Sequence, residues 1–267
     1  MTDATRPAER VLGVEGLVVE YRVSGHRTLR AVDDVSLELG RGEVLGVVGE
    51  SGSGKTTLGR TIAGFVQPTS GRVLLPSADG GLRERSGTRG HRDVQMIFQE
   101  SAAALNPRLP VWKVIGEAFE PASSLQRRRG ALRELVADQL TRVGLPESFV
   151  DRPARMLSGG EKQRVAIARA FAARPVAMVC DEAVSALDVS IRAVVLNLFQ
   201  RLRVETGTSL LFISHDIAVV SHLADRVMVM HNGRAVEEGA TRDVVERPQA
   251  EYTRRLIDAV PRLERAA

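Results

Sequence analysis

The nine residues GESGSGKTT, Gly49–Thr57, constrain this chain more than any other stretch. They fit the phosphate-loop pattern G-x-x-x-x-G-K-[ST], which requires a strand before it and a helix after it. The strand is present as GEVLGVVG, a continuous apolar run of the kind buried on both faces. The helix is expected from near Gly54 to about Gly64. Gly49, Gly52 and Gly54, with Glu50, Ser51 and Ser53 between them, let backbone N–H groups turn inward around phosphates, and the helix start adds a favourable dipole. Lys55 is expected to reach the β- and γ-phosphates and the Thr56 hydroxyl to bind Mg²⁺, with Thr57 beside it. The 37 basic residues include only three lysines, Lys55, Lys113 and Lys162. An arginine-rich, GC-biased composition does not place a lysine here.

A second apolar run, VAMVCDE, ends in two acids. An acid at the carboxyl end of a parallel strand sits where such sheets bind ligands. Asp181 is expected to hold Mg²⁺ through water, and Glu182 to polarise the attacking water as general base. At this point a kinase, a GTPase and a recombinase-like motor all remain open.

The stretch LSGGEKQR, Leu157–Arg164, narrows the choice. Ser158 and Glu161 have the spacing of a capping box for the helix that follows. A cap does not ask for Gly159 and Gly160, which cost helix stability. Ser-Gly-Gly leaves bare N–H groups and a hydroxyl at a helix start, an anion site. A chain with its own phosphate loop would use it on a nucleotide held by another chain.

Composition bounds the rest. With 267 residues, 43% hydrophobic and 26% charged, the chain is an ordinary globular one. No apolar run approaches the ~20 residues that span a bilayer. The start, MTDATRPAER, lacks a secretory signal, and the single Cys180 excludes an internal disulfide framework, so a cytosolic setting is expected. The arginines at 127–129 and Arg83, Arg85, Arg89 and Arg92 read as solvated faces. Without interleaved aromatics they do not form a nucleic-acid groove.

VLGVEGLVVEYRV and LRAVDDVSLEL alternate with period two, as antiparallel strands do. Residues 77–92 read as an exposed loop. From Gln99 to Pro175 the pattern is helical. Leu132, Leu135, Val136, Leu140 and Val143 share one face of a helix ended by Gly144 and Pro146. A further helix runs from the Ser-Gly-Gly to Pro175, and another covers Val189–Val204. SLLFISH is a strand, and RVMVMHNGRAVEEG a hairpin turning at Asn232-Gly233.

Together the motifs resemble the ATP-binding cassette (ABC) ATPases over nearly the whole chain. Those proteins dimerise head to tail, with each ATP between one protomer's phosphate loop and the other's LSGG motif. The resemblance implies further roles. Asp188, in SALD, belongs to the loop that crosses the dimer interface. Gln99, in QMIFQES, senses Mg²⁺ and the attacking water. His215, in FISHD, contacts the γ-phosphate, and Tyr21, in VEYRV, stacks on adenine. The implied fold is α/β, a RecA-like P-loop core with an antiparallel β subdomain and an inserted α-helical subdomain. The expected boundaries within a single domain of residues 1–267 are 1–98 and 175–240 for the core and β subdomain, 99–174 for the helical subdomain and 241–267 for a C-terminal helical segment.

Three stretches resemble the importers of oligopeptides, dipeptides and nickel: FQESAAALNPRLPVWKVIGEAF, DEAVSALDVSIRAVVLNL and RPQAEYTRRLIDAVP. The chain departs from that pattern at Ala183, where proline is usual, and at Glu161, where glutamine is commoner. Its end at Ala267, without a cysteine-bearing tail, favours the shorter dipeptide and nickel members. The resemblance implies an ATP-binding subunit with ATP and Mg²⁺, at the cytoplasmic face of the cell membrane as a peripheral protein. Its expected partners are a separate permease, a second ABC ATPase (a paralogue or an identical chain) and, indirectly, an extracytoplasmic substrate-binding protein. The permease is expected at about Glu100–Ile115, where Trp112 suits either that surface or the core. The alternative is a soluble ATPase of the same family, such as a component of the carbon–phosphorus lyase complex. A DNA-repair ATPase would need a far longer interval between the phosphate loop and LSGG.

Overall fold

The computed structural model describes residues 9–23, 27–77, 81–85, 93–99, 105–119, 129–185 and 187–259. They form two compact units, Met1–His91 with Ser209–Ala267, and Arg92–Thr208.

In the first unit, β1 (Arg10–Val23) and β2 (Arg27–Gly40) pair antiparallel. Val35, Leu37 and Leu39 of β2 are buried while Asp34, Ser36 and Glu38 face out, the alternation that a half-buried sheet imposes. β4 (Ser70–Pro76) joins the other side of β1, and β5 (Leu82–Glu84) pairs with β4. β5 corrects the sequence reading, which took 77–92 wholly as loop; 78–80 and 86–92 lie outside the described residues. Three residues with one apolar side chain carry too little pattern to announce a strand.

The buried strand β3 (Val44–Val48) is parallel to β8 (Ser209–Ser214) and β9 (Arg226–His231). β10 (Arg234–Ala240) returns antiparallel to β9, so the unit's strands run β10-β9-β3-β8. The hairpin turns at Asn232 and Gly233 with φ of 48° and 82°, the positive pair that a type I′ turn requires.

In the second unit, β6 (Val94–Ile97) is parallel to β7 (Ala177–Asp181). Helices α2 (Val111–Gly116), α3 (Arg129–Arg142), α4 (Gly159–Ala172) and α5 (Val189–Thr206) complete it. Leu132, Val136 and Leu140 are buried on one face of α3, but Leu135 is 48% exposed, which narrows the expected stripe. Gly144, at φ 71°, ends the helix, with Leu145 N–H bonded to Leu140 C=O and Gly144 N–H to Thr141 C=O, a Schellman motif. Trp112 is a core residue at 3% exposure. Residues 100–104 of the expected permease surface lie outside the described ones. Among the described residues no helix is long and apolar enough to cross a membrane.

Candidate nucleotide site

β3 delivers the chain to Gly49, and α1 (Lys55–Ile62) carries it away. Gly54 caps α1 at φ 100° and contributes no side-chain hydrogen bond. A helix end of this kind carries partial positive charge suited to phosphate. Lys55 is 6% exposed, and its Nζ donates to Gly49 C=O at 2.7 Å, Glu50 C=O at 2.8 Å and Ser53 Oγ at 3.1 Å. The ammonium thus lies inside the loop. Phosphate oxygens would displace these neutral acceptors, because bonds between charged partners are about twice as strong.

The loop is wedged between its neighbours. A Cβ on Gly49 would come within 2.2 Å of Met230 C=O, and one on Gly54 within 2.2 Å of Ala31 C=O. Gly233 N–H bonds to Ser53 C=O at 3.0 Å, while Asp33 N–H bonds to Gly233 C=O at 2.8 Å. The I′ turn is therefore a brace for the loop as well as a hairpin end. Arg85 holds the far end of α1, its Nη1 donating to the Thr61 and Ile62 carbonyls at 2.7 Å each. This corrects the reading of Arg85 as a solvated charge. A cation at a helix C-terminus complements the dipole, and burial pushes the Arg85 pKa below its usual value. Of the rest of that cluster, Arg83 is exposed, while Arg89 and Arg92 lie outside the described residues, as do Arg127 and Arg128.

Two more expected site residues lie in this unit. His215 is exposed just after β8. It sits between Ser214 and Asp216, and Asp216 caps α6 (Ile217–Leu223) by accepting from Ala218 and Val219 N–H. Tyr21 is 39% exposed near the end of β1, opposite Leu29.

The other unit holds Gln99, Asp181, Glu182, Ser158, Gly159, Gly160 and Asp188. Gln99 is exposed beyond β6. Asp181 ends β7 at 3% exposure, and Glu182 follows at φ 51°. A left-handed backbone at a residue other than glycine costs ~1–3 kcal/mol and persists only where the surroundings impose it. Here Ser185 does so, donating to Glu182 C=O from its N–H at 3.2 Å and its hydroxyl at 2.9 Å. Gln163, buried on α4, donates to Ala183 C=O at 2.7 Å. The helix that starts at LSGG is thus tied to the loop that carries Glu182. Sequence reasoning passed over Gln163; its signal was a polar residue on the apolar face of α4.

Ser158 and Glu161 form the expected capping box. Glu161 accepts from Ser158 N–H at 2.7 Å, and Ser158 Oγ from Glu161 N–H at 3.4 Å. Among the described residues a Cβ on Gly159 would meet nothing within 4 Å, and one on Gly160 only Ile191 at 3.6 Å. Ser158, Gly159 and Gly160 share a cleft of about 550 Å³ with Leu187 and Asp188. Two motifs separated in sequence meet there. The intervening Ala186 lies outside the described residues.

The profile of the ABC transporter family matches residues 32–185. The oligopeptide transport ATP-binding protein OppF of Escherichia coli is 46% identical over 239 residues, covering 88% of this chain and 70% of that protein. Among solved structures, cbiO1 from Clostridium perfringens, described as part of an ABC transporter complex, superposes with a TM-score of 0.73 at 28% identity, covering 90% of this chain and 92% of that one. An ATP-binding cassette solved as a dimer with ADP and Pi gives 0.69 at 27% identity, with 86% and 99% covered. With its phosphate loop, parallel strands and LSGG cleft on the same scaffold, the chain belongs to the ABC transporter family of ATP-binding proteins and is an ATPase.

Proposed function

We propose that this chain is the ATP-hydrolysing subunit of an ABC importer for peptides or a related small solute such as nickel. It works head to tail with a second ABC ATPase, a paralogue or an identical chain. The observation that carries the paired arrangement is the open space at Gly159 and Gly160. Two glycines that no close neighbour among the described residues requires make sense where a partner's nucleotide approaches the backbone. The transport names of its relatives favour this over a soluble ATPase that works without a membrane.

In this reading Gly49–Thr57 hold the phosphates of the chain's own ATP, Tyr21 stacks on adenine and His215 contacts the γ-phosphate. Glu182 takes the proton of the attacking water, with Gln99 orienting it. Ser158, Gly159, Gly160 and Asp188 serve the partner's nucleotide. Thr56, Gln99 and Asp181 would hold Mg²⁺. They supply a hydroxyl, an amide oxygen and a carboxylate, the hard oxygen donors this cation takes alongside water. Its chemistry there is to neutralise charge on the phosphates. The functional divisions are residues 1–98 and 175–240 for the nucleotide core, 99–174 for the helical part and 241–267 for the C-terminal segment. The subunit sits peripherally on the cytoplasmic face of the membrane, docked on a separate permease and served indirectly by an extracytoplasmic binding protein.

Glu182→Gln tests the chemistry. Steady-state hydrolysis should fall about 10²–10⁴-fold with ATP binding retained. ATP-dependent dimers should accumulate on gel filtration, because the closed pair no longer decays. Turnover within a few-fold of the unaltered chain would remove Glu182 as the base.

A further inference from the structure

The C-terminal helix α8 (Glu251–Asp258) reaches back to the phosphate loop. Tyr252, 8% exposed, places its hydroxyl 3.0 Å from the backbone nitrogen of Glu50, which donates to it across 202 residues of sequence. Its ring stacks on His231, with centroids 3.9 Å apart and planes at 30°. His231 ends β9, immediately before the turn whose Gly233 N–H bonds to Ser53 C=O. The start of α8 is fixed in turn: Glu237 of β10 accepts from Gln249 N–H at 2.8 Å and Ala250 N–H at 3.0 Å. Burial pushes the Tyr252 phenol pKa up, which keeps it a neutral hydroxyl across the physiological range.

Glu50 is consequently held on both sides. Its N–H is bonded to Tyr252 and its C=O to Lys55 Nζ. These two holds respond differently to nucleotide. When Lys55 turns to the phosphates, the Glu50 carbonyl gives up that bond, whereas the bond from Glu50 N–H to Tyr252 does not involve Lys55. We propose that Tyr252 is a positioning residue for ATP binding. α8 acts as a strap that keeps the first peptide of the phosphate loop oriented while Lys55 exchanges the loop's carbonyls for phosphate oxygens. The proposal rests on Gly49–Thr57 being the nucleotide loop and adds the C-terminal segment to that site.

Tyr252→Phe removes the acceptor and keeps the ring against His231. The loop grips the phosphates in the ground state and in the transition state alike, so its loosening costs uniform binding. KM for ATP should then rise about three- to tenfold, the scale of one net hydrogen bond, with kcat within about twofold. Hydrogen exchange on the full chain without nucleotide should show the Glu50 amide exchanging faster in the variant, with the Gly233 amide unchanged. Glu237→Ala, which frees the start of α8, should reproduce the KM rise in weaker form. A merely structural role would instead lower kcat per mole of protein at unchanged KM, and that result overturns the proposal. So does an unchanged Glu50 exchange rate, measurable even if the activity assay is compromised. Lys55→Ala separates the two layers. If it binds ATP as well as the unaltered chain, the nucleotide-loop reading fails. If it loses ATP while Tyr252→Phe behaves as the unaltered chain, only the strap fails.

Discussion

Two helix starts in this molecule carry glycines beside a serine, and they are built in opposite ways. At α1 the glycines are demanded from within. Gly49 and Gly54 each face a carbonyl that a Cβ would strike at 2.2 Å, and Gly54 leaves the helix end without a side-chain cap. A buried lysine fills the loop. At α4 the Ser158–Glu161 capping box takes up the Ser158 and Glu161 N–H groups, Gly159 is exposed, and among the described residues neither Gly159 nor Gly160 has a close neighbour to avoid. The first is a cradle completed by its own chain. The second is a capped end whose glycines crowd no neighbour among the described residues. A glycine can be retained for contacts inside a fold or for contacts with something that arrives, and measurements on each end can tell the two cases apart.

The largest effect should come from pairing lesions at the two ends. Ser158→Arg and Lys55→Ala should each abolish hydrolysis alone, the arginine by filling the LSGG cleft and the alanine by removing the phosphate contact. In a mixed pair of the two chains, one site carries both lesions and the other carries none, so hydrolysis should return. Mixed pairs, confirmed by differential tagging, that remain inactive would place both motifs of one chain at the same nucleotide and break the comparison.

A smaller effect is expected at the internal glycine. Gly54→Ala forces a side chain into φ 100° and against Ala31 C=O. It should destabilise the chain by ~1–3 kcal/mol from backbone strain alone. Thermal or urea unfolding without nucleotide reads this directly. An unchanged midpoint would mean the loop can yield.

The smallest effect has the opposite sign. Gly159→Ala enters open space at a helical position, so it should leave folding unchanged or raise stability by ~0.4–1 kcal/mol through the unfolded chain's lost entropy. Hydrolysis by the pair should nevertheless fall, because the added methyl group stands where the partner's nucleotide would approach. A variant both more stable and fully active would assign Gly159 no contact outside its own chain.

Much of this was legible in the sequence because its causes are local. The phosphate loop announces its strand and helix within nine residues, Asn232-Gly233 dictates a I′ turn, and Gly144 dictates a Schellman stop. Each depends on backbone angles that few residues adopt. The capping box was equally readable, its two partners lying three residues apart. The misreadings came where partners are remote. Arg85 looked like surface charge until the Thr61 and Ile62 carbonyls appeared 24 and 23 residues earlier. Leu135 fell inside an apolar period, yet helix packing in the fold covered only a narrower stripe.

What the sequence determined by itself was the inventory: a phosphate cradle, an acid pair, a second glycine-bearing helix start, and the strands and turns that present them. Tertiary structure alone decided which groups support them. Gln163 grips Ala183 C=O from 20 residues away, and Tyr252 takes the Glu50 amide from 202 away. Neither residue type carries a backbone signature. A hydrogen bond of this sort depends on the path of the chain between its partners, and that path is set by the packing of the whole core.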